Sequence, residues 1–266
     1  MQIKTKFLKF FYNALLTGMP SLMNNPFNKN VLHTKFCVNE YSTYINYRLN
    51  DLQLSNIKSY LDDNTNGLEI IPSSLLKNNN NKDYFLSINI YNCTSPLFEF
   101  ISEEPATRCE LNIYVKDKYE NEGTLIVDYA SNILSLDPDN LFKSSGKINF
   151  NMKNETINGY VNDKKFCLGF YYDILSNELP YNKLSADLIK LSDRIYYKNG
   201  LYDKLYYDTS LIDNKIVDCK NYHVYFKFLN MRFEEVDSVF FFENKINFVG
   251  GLWDNLYNEE FNKAYP

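Results

Sequence analysis

Arg108-Cys109-Glu110-Leu111-Asn112-Ile113-Tyr114-Val115-Lys116 is the stretch on which the fold turns. Cys109, Leu111, Ile113 and Val115 alternate with Arg108, Glu110, Asn112 and Tyr114, a period of two that a helix cannot use and a strand must. Thr124 to Asn132 carries the matching pattern after a charged loop ending at Gly123, so the two segments read as an antiparallel pair. Working outward, Phe36 to Tyr47 and Tyr84 to Tyr91 read as further strands, the second with Phe85, Ser87, Asn89 and Tyr91 on one face. Tyr160-Val161 and Lys165 to Tyr172 flank the turn-like Asn162-Asp163 and read as a hairpin. Near the C-terminus, Tyr222 to Leu229 is a strand, and Val236 to Phe242 leads through Asn244-Lys245 into Ile246 to Val249 as a closing hairpin.

Helical spacing is rarer. Leu52 to Leu61 predicts a short helix, and Leu184, Leu188, Leu191 and Ile195 predict an amphipathic one. The first 35 residues read as a peripheral wrap with a weak helix near Thr5 to Leu16, and residues 36–257 as the main body of one domain. Consecutive strands on short turns imply a mainly β fold, an antiparallel sheet either closed into a barrel or layered as a sandwich, with a few peripheral helices.

The totals narrow the function classes. The chain has 266 residues, a formal charge of −5 and 17% aromatic residues, with 23 Tyr and 20 Phe. An acidic chain without a Lys/Arg run lacks the basic stripe that displaces counterions from phosphates, so no nucleic-acid partner is expected. Nothing approaches 18 apolar residues in a row, so no membrane-spanning helix is expected. Lys9 and Asn13 interrupt the N-terminal apolar stretch, which argues against a signal peptide and for a cytoplasmic protein. Five dispersed cysteines (Cys37, Cys93, Cys109, Cys167 and Cys219) without C-x-x-C give no disulfide framework or zinc site. No metal and no cofactor are expected.

Two histidines, His33 and His223, leave little room for a Ser-His or Cys-His arrangement. His223 sits in a strand opposite the Val224, Phe226, Phe228 face and reads as structural. No phosphate-cradling glycine motif occurs. Asp137-Pro138-Asp139-Asn140 reads as a proline turn, since Leu141, Phe142 and Lys143 occupy the next calcium-loop positions.

One constellation remains. A Met19-Pro20 start precedes a strand ending Tyr47-Arg48, then a short helix and Gly67-Leu68-Glu69-Ile70-Ile71-Pro72. The acidic Glu103-Glu104-Pro105-Ala106-Thr107-Arg108 loop comes before the strand pair, Asn140-Leu141-Phe142-Lys143 follows it, and a closing segment ends Gly250-Gly251-Leu252-Trp253. In this order the chain resembles the acetoacetate decarboxylase-like barrels over most of residues 18–257. The resemblance implies a cone-shaped barrel with a buried cavity, in which a lysine forms a Schiff base with a small keto acid. Lys143 matches that lysine, with Lys147 as the alternative and as a substrate-site cation. Glu103 or Glu104 would act as the acid/base group, and Arg108 would hold the substrate carboxylate. The family carries two adjacent lysines where this chain separates Lys143 and Lys147 by Ser144-Ser145-Gly146, and Glu40 replaces an expected arginine.

Without the resemblance, either face of the Arg108 strand could be the lumen. Cys109, Leu111, Ile113 and Val115 would make it dry. Arg108, Glu110, Asn112 and Tyr114, with Asp128 and Asn132 of the mate, would make a polar cavity for a small carbonyl or carboxylate ligand. Three function classes follow: a Schiff-base lyase, a non-catalytic small-ligand barrel, and a structural or protein-interaction domain that could form a homo-oligomer.

Overall fold

A computed structural model of the chain describes residues 33–61, 67–73, 83–94, 106–131, 147–153, 156–162, 166–178, 194–197, 201–207, 215–243, 246–251 and 254–255. In chain order these form β1 (His33–Arg48), α1 (Asp51–Leu61), β2 (Glu69–Ile70), β3 (Phe85–Thr94), β4 (Ala106–Lys116) and β5 (Glu122–Ser131). Then come β6 (Lys147–Lys153), β7 (Thr156–Asn162), β8 (Phe166–Glu178), β9 (Arg194–Tyr197) and β10 (Leu201–Tyr207). The last are β11 (Lys215–Phe228), β12 (Met231–Phe233), β13 (Ser238–Glu243), β14 (Ile246–Gly251) and β15 (Asp254–Asn255).

β4 and β5 pair antiparallel from Lys116↔Glu122 to Arg108↔Ser131, as the alternation predicts. Their turn is held by the Asp117 carboxylate, whose Oδ1 accepts from the backbone N–H of Tyr119 (2.8 Å) and Asn121 (2.9 Å). One irregularity in the ladder has consequences. Leu111 faces Asp128 but Asn112 faces Ile126, so Val127 is an extra residue on β5. A bulge of this kind shifts the alternation by one beyond it. Asp128 therefore lies on the face of Leu111, not on that of Glu110 and Asn112.

The fold is mainly antiparallel β, with β5–β9 as its one parallel pair among the described ladders. The ladders do not draw one simple cone, because the sheet branches at β1. On one edge β1 pairs with β3. On the other it pairs with β13 through its C-terminal half and with β14 through its N-terminal half. Both pairings keep one register, Tyr41 facing Glu243 and Val38 facing Ile246. The expected closing hairpin is thus corrected: β13 and β14 lie end to end along β1. From β13 the sheet continues through β11, β8, β7 and β6; from β14 it continues through β10 and β9 to β5. Followed through β3, β4, β5, β9, β10 and β14, the ladders come back to β1.

The branch covers the apolar face of the first strands. Ile45, Ile88 and Leu111 stand in one row across β1, β3 and β4, with Tyr47, Leu86, Ile113 and Leu125 in the next. All are buried in one core with Phe150 of β6, Phe170 of β8, and Phe226 and Phe228 of β11. The Thr43 and Tyr172 hydroxyls hydrogen-bond between β1 and β8, tying the layers together.

α1 closes the end of this core with Ile57 and Leu61. Its start is a capping box: the Gln53 N–H donates to Asn50 Oδ1 (2.9 Å), and the Asn50 N–H donates to Gln53 Oε1 (3.1 Å). The second expected helix fails at its end. Ile195 is strand, paired with Thr124 and Asp203, because the run Ile195-Tyr196-Tyr197 has β-branched and aromatic side chains suited to a pleated surface. Leu184, Leu188 and Leu191 lie outside the described residues.

Candidate functional site

The other face of β1, β3, β4 and β5 is polar and also buried. Three cross-strand rows build it: Ser42, Tyr91 and Arg108; Tyr44, Asn89, Glu110 and Tyr129; Asn46, Ser87, Asn112 and Ile126. Ser42, Asn46, Ser87, Glu110 and Asn112 are each no more than 7% exposed. An exposed sheet face tolerates such residues freely, whereas a buried one requires each polar atom to find a partner.

Most of them do. Arg108 and Glu110, two apart and so on one side of β4, form an ion pair, Nε to Oε1 at 2.5 Å. The same Glu110 oxygen accepts from the Tyr91 hydroxyl at 3.0 Å. The Arg108 guanidinium lies 4.4 Å from the centre of the Tyr129 ring, a cation–π contact. One row along, Asn89 Nδ2 donates to the Tyr44 hydroxyl at 3.1 Å. In the third row the Ser87 hydroxyl donates to Asn46 Oδ1 at 2.7 Å and lies 3.1 Å from the Tyr114 hydroxyl. Burial pushes the Tyr114 hydroxyl up to about 12, against the opposing pull of the Ser87 hydrogen bond. On the reverse face of the same strand, burial pushes the Cys109 thiol well above its ordinary range, with the Glu110 charge adding to the effect.

Two acceptors in these rows are different. Asn112 Oδ1 and Asn89 Oδ1 are buried without a hydrogen-bond partner. Leaving a buried acceptor unmade costs about 1–3 kcal/mol, so Asn112 in the centre of the face is a standing cost to the fold.

Of the residues singled out from sequence, the structure brings Arg108, Glu110, Asn112 and Tyr114 to this face. Asp128 is corrected to the apolar side by the bulge. There its carboxylate accepts from the Tyr60 hydroxyl of α1 at 3.0 Å and from the Tyr129 N–H at 2.9 Å. Lys147 is exposed at the start of β6, a strand that joins the ladders through β7 and not through β4. Lys143, Glu103, Glu104 and Asn132 lie outside the described residues. Sequence reasoning missed Tyr44, Asn46 and Tyr129 as partners; the alternation of Ser87, Asn89 and Tyr91 was the signal that their strand shares the polar side. Among the described residues no group of three His, Cys, Asp or Glu side chains could hold a metal ion. Also among them, no helix is long and apolar enough to cross a membrane.

No protein-family model matches the chain, and no curated protein does. Among solved structures, a Nitrosomonas europaea protein provisionally named AttH aligns with 89% of this chain at 7% identity and a TM-score of 0.26. The alignment takes in 56% of that protein, so this chain spans little more than half its length. A likeness that weak has nothing specific to the acetoacetate decarboxylase-like barrels and assigns no residue a role.

Proposed function

We propose that the strand circuit through β3, β4, β5, β9, β10 and β14 is a barrel whose lumen is the polar face, and that the protein is a non-catalytic binder of a small polar molecule. The observation that carries this is Asn112 Oδ1, an unpartnered acceptor in the middle of a buried polar face. An acceptor needs a donor, so the ligand carries a hydroxyl or an N–H. The donors of Arg108 suit a carbonyl or carboxylate at its other end. Hydroxy acids and small amides combine both groups.

A Schiff-base lyase of the acetoacetate decarboxylase type would use the same barrel, with Lys143 as nucleophile and Glu103 or Glu104 as acid/base. It needs a lysine that is neutral near pH 7, which a nearby uncompensated cation helps to supply. Here the Arg108 cation is matched by Glu110 at 2.5 Å. That pairing favours binding over catalysis.

The test is a thermal-shift and calorimetric screen of small hydroxy acids, keto acids and amides against the wild type and Asn112→Leu. Leucine has nearly the shape of asparagine without its polar atoms. We expect the variant to be more stable than the wild type by about 1 kcal/mol or more, since it removes an unmade acceptor, and to lose the ligand that the wild type binds. A variant that is less stable, or that binds equally well, would refute the reading.

A further inference from the structure

The outer face of β7, β8 and β11 carries a second feature, unrelated to the polar face. Tyr160, Gly169 and Tyr225 stand in one row across these strands, and Asn158, Tyr171 and His223 in the next. Tyr160, Tyr171 and Tyr225 are 47%, 43% and 47% exposed, with Tyr222 beside them at 38%. Four solvent-facing tyrosines on one sheet face are a concentration that folding alone does not demand, since each ring loses hydrophobic stabilisation by staying out.

The glycine at the centre is the telling residue. A Cβ on Gly169 would meet nothing within 4 Å, and its backbone is not in the left-handed region. Neither packing nor conformation therefore requires glycine, although glycine inside a strand weakens it and often marks a close approach by a ligand. Gly159, on the neighbouring strand, shows the contrast. A Cβ there would lie 2.6 Å from Phe170 and from the Asn149 carbonyl, so packing alone explains it. Gly169 keeps open a gap between two tyrosines that sit on strands two ladder steps apart, about 10 Å.

A cleft of about 490 Å³ opens on the Tyr225 side of Gly169, walled by Gly169, Tyr222, His223, Tyr225, Glu234 and Val236; Tyr160 flanks it from the next strand without lining it. Tyr222 reaches it through a bulge. The β8–β11 register slips between Lys220 and His223, and Asn221 takes a φ of 51°, held by its Nδ2 on Asp173 Oδ2 at 3.1 Å. A bulge that re-aims a side chain into a cleft is a common device at binding sites. Arg232 stands over the Tyr225 ring at 5.5 Å and pairs with Glu234 at 3.6 Å, so its charge is matched locally.

We infer that this cleft binds a neutral carbohydrate, one sugar ring lying over Gly169 against Tyr222 and Tyr225. A pyranose has apolar C–H faces that stack on aromatic rings and a rim of hydroxyls that both donate and accept. Tyr222 and Tyr225 supply the stacking surfaces; His223 and Glu234 supply the surrounding polar groups. Single-stranded nucleic acid also stacks on aromatics but needs a positively charged groove. This face has charges of both signs on a chain of net charge −5. A proline-rich peptide stacks on tyrosines too, yet it has no hydroxyl rim to use the polar groups around the gap.

The experiment probes the full chain with an array of neutral glycans, then by calorimetry with the best-bound glycan, alongside dT20 and a decaproline peptide. We expect a neutral glycan to bind. Tyr225→Ala should weaken it about tenfold or more, the scale of one lost stacking ring. Gly169→Val should do the same while the melting temperature holds or rises, because the added side chain enters open space. Asn112→Leu should leave glycan binding unchanged, which separates this site from the polar face. The inference is overturned by an array with no bound neutral glycan, by binding that survives both outer-face variants, or by preferential binding of dT20 or decaproline.

Discussion

Tyr47, Tyr60 and Tyr114 are phenols placed where ionisation is unfavourable. Burial raises all three, and for Tyr60 the Asp128 carboxylate raises it further by repelling a phenolate and accepting the phenol's hydrogen bond. A tyrosine whose folded pKa lies above its unfolded value of about 10 keeps its proton in the fold after the unfolded chain has lost it. The unfolded state then binds fewer protons, and stability falls as pH rises. These groups contribute in full below about pH 10 and lose their contribution above it. Urea unfolding midpoints measured from pH 8.5 to 11.5 should hold below 10 and decline steadily above it. In Tyr60→Phe/Tyr114→Phe the alkaline decline should be shallower. A midpoint flat through pH 11 would contradict the burial of these hydroxyls.

Among elements, what was legible in the sequence depended on whether local pattern and tertiary pairing agreed. β4 was plain because its two residue sets differ so sharply in polarity that only one period fits. Leu52 to Leu61 was plain for the matching reason, and its Asn50/Gln53 box adds a start signal. Asn50→Ala should cost about 1 kcal/mol, read from the urea midpoint, while Asn50→Ser or Asn50→Asp should recover most of it. Equal losses in all three variants would mean that the box is not what holds the helix start. The β5 bulge could not be read. One extra residue leaves an alternating run looking alternate, and only the opposing strand shows that Val127 and Asp128 share a face. The end-to-end β13 and β14 were hidden by Asn244-Lys245, a pair that looks like a turn. Turn-forming residues permit a reversal, and the long partner β1 decides whether one occurs. The short strand at Ile195 was likewise settled by its partners β5 and β10, not by the helical spacing before it.

For the molecule as a whole, the polar face was legible as a possibility, because alternation fixes which residues share a side but not which side is enclosed. Both sides turned out buried, the apolar one under β6, β8 and β11, which the sheet brings round from its branch at β1. The Schiff-base reading rested on Lys143, Glu103 and Glu104, whereas the site with geometry is Arg108, Glu110 and Asn112. Borohydride with acetoacetate, followed by peptide mapping, distinguishes the two. A binding protein should give no reduced adduct on Lys143 or Lys147. A stoichiometric adduct lost in Lys143→Ala would instead establish the lyase.

The branching strand also governs how the chain can be made. Asn46 finds its neighbour Ser238 only 192 positions later, and the N-terminal half of β1 waits further, for Ile246 to Gly251. During synthesis the edge of β1 that both half-sheets share stays open until residues 238–251 have left the ribosome. An open edge with free N–H and C=O groups recruits any strand that passes, including that of another nascent copy. Residues 33–46 are thus the segment a chaperone would have to guard longest, and loss of β13 and β14 would leave that edge bare for good.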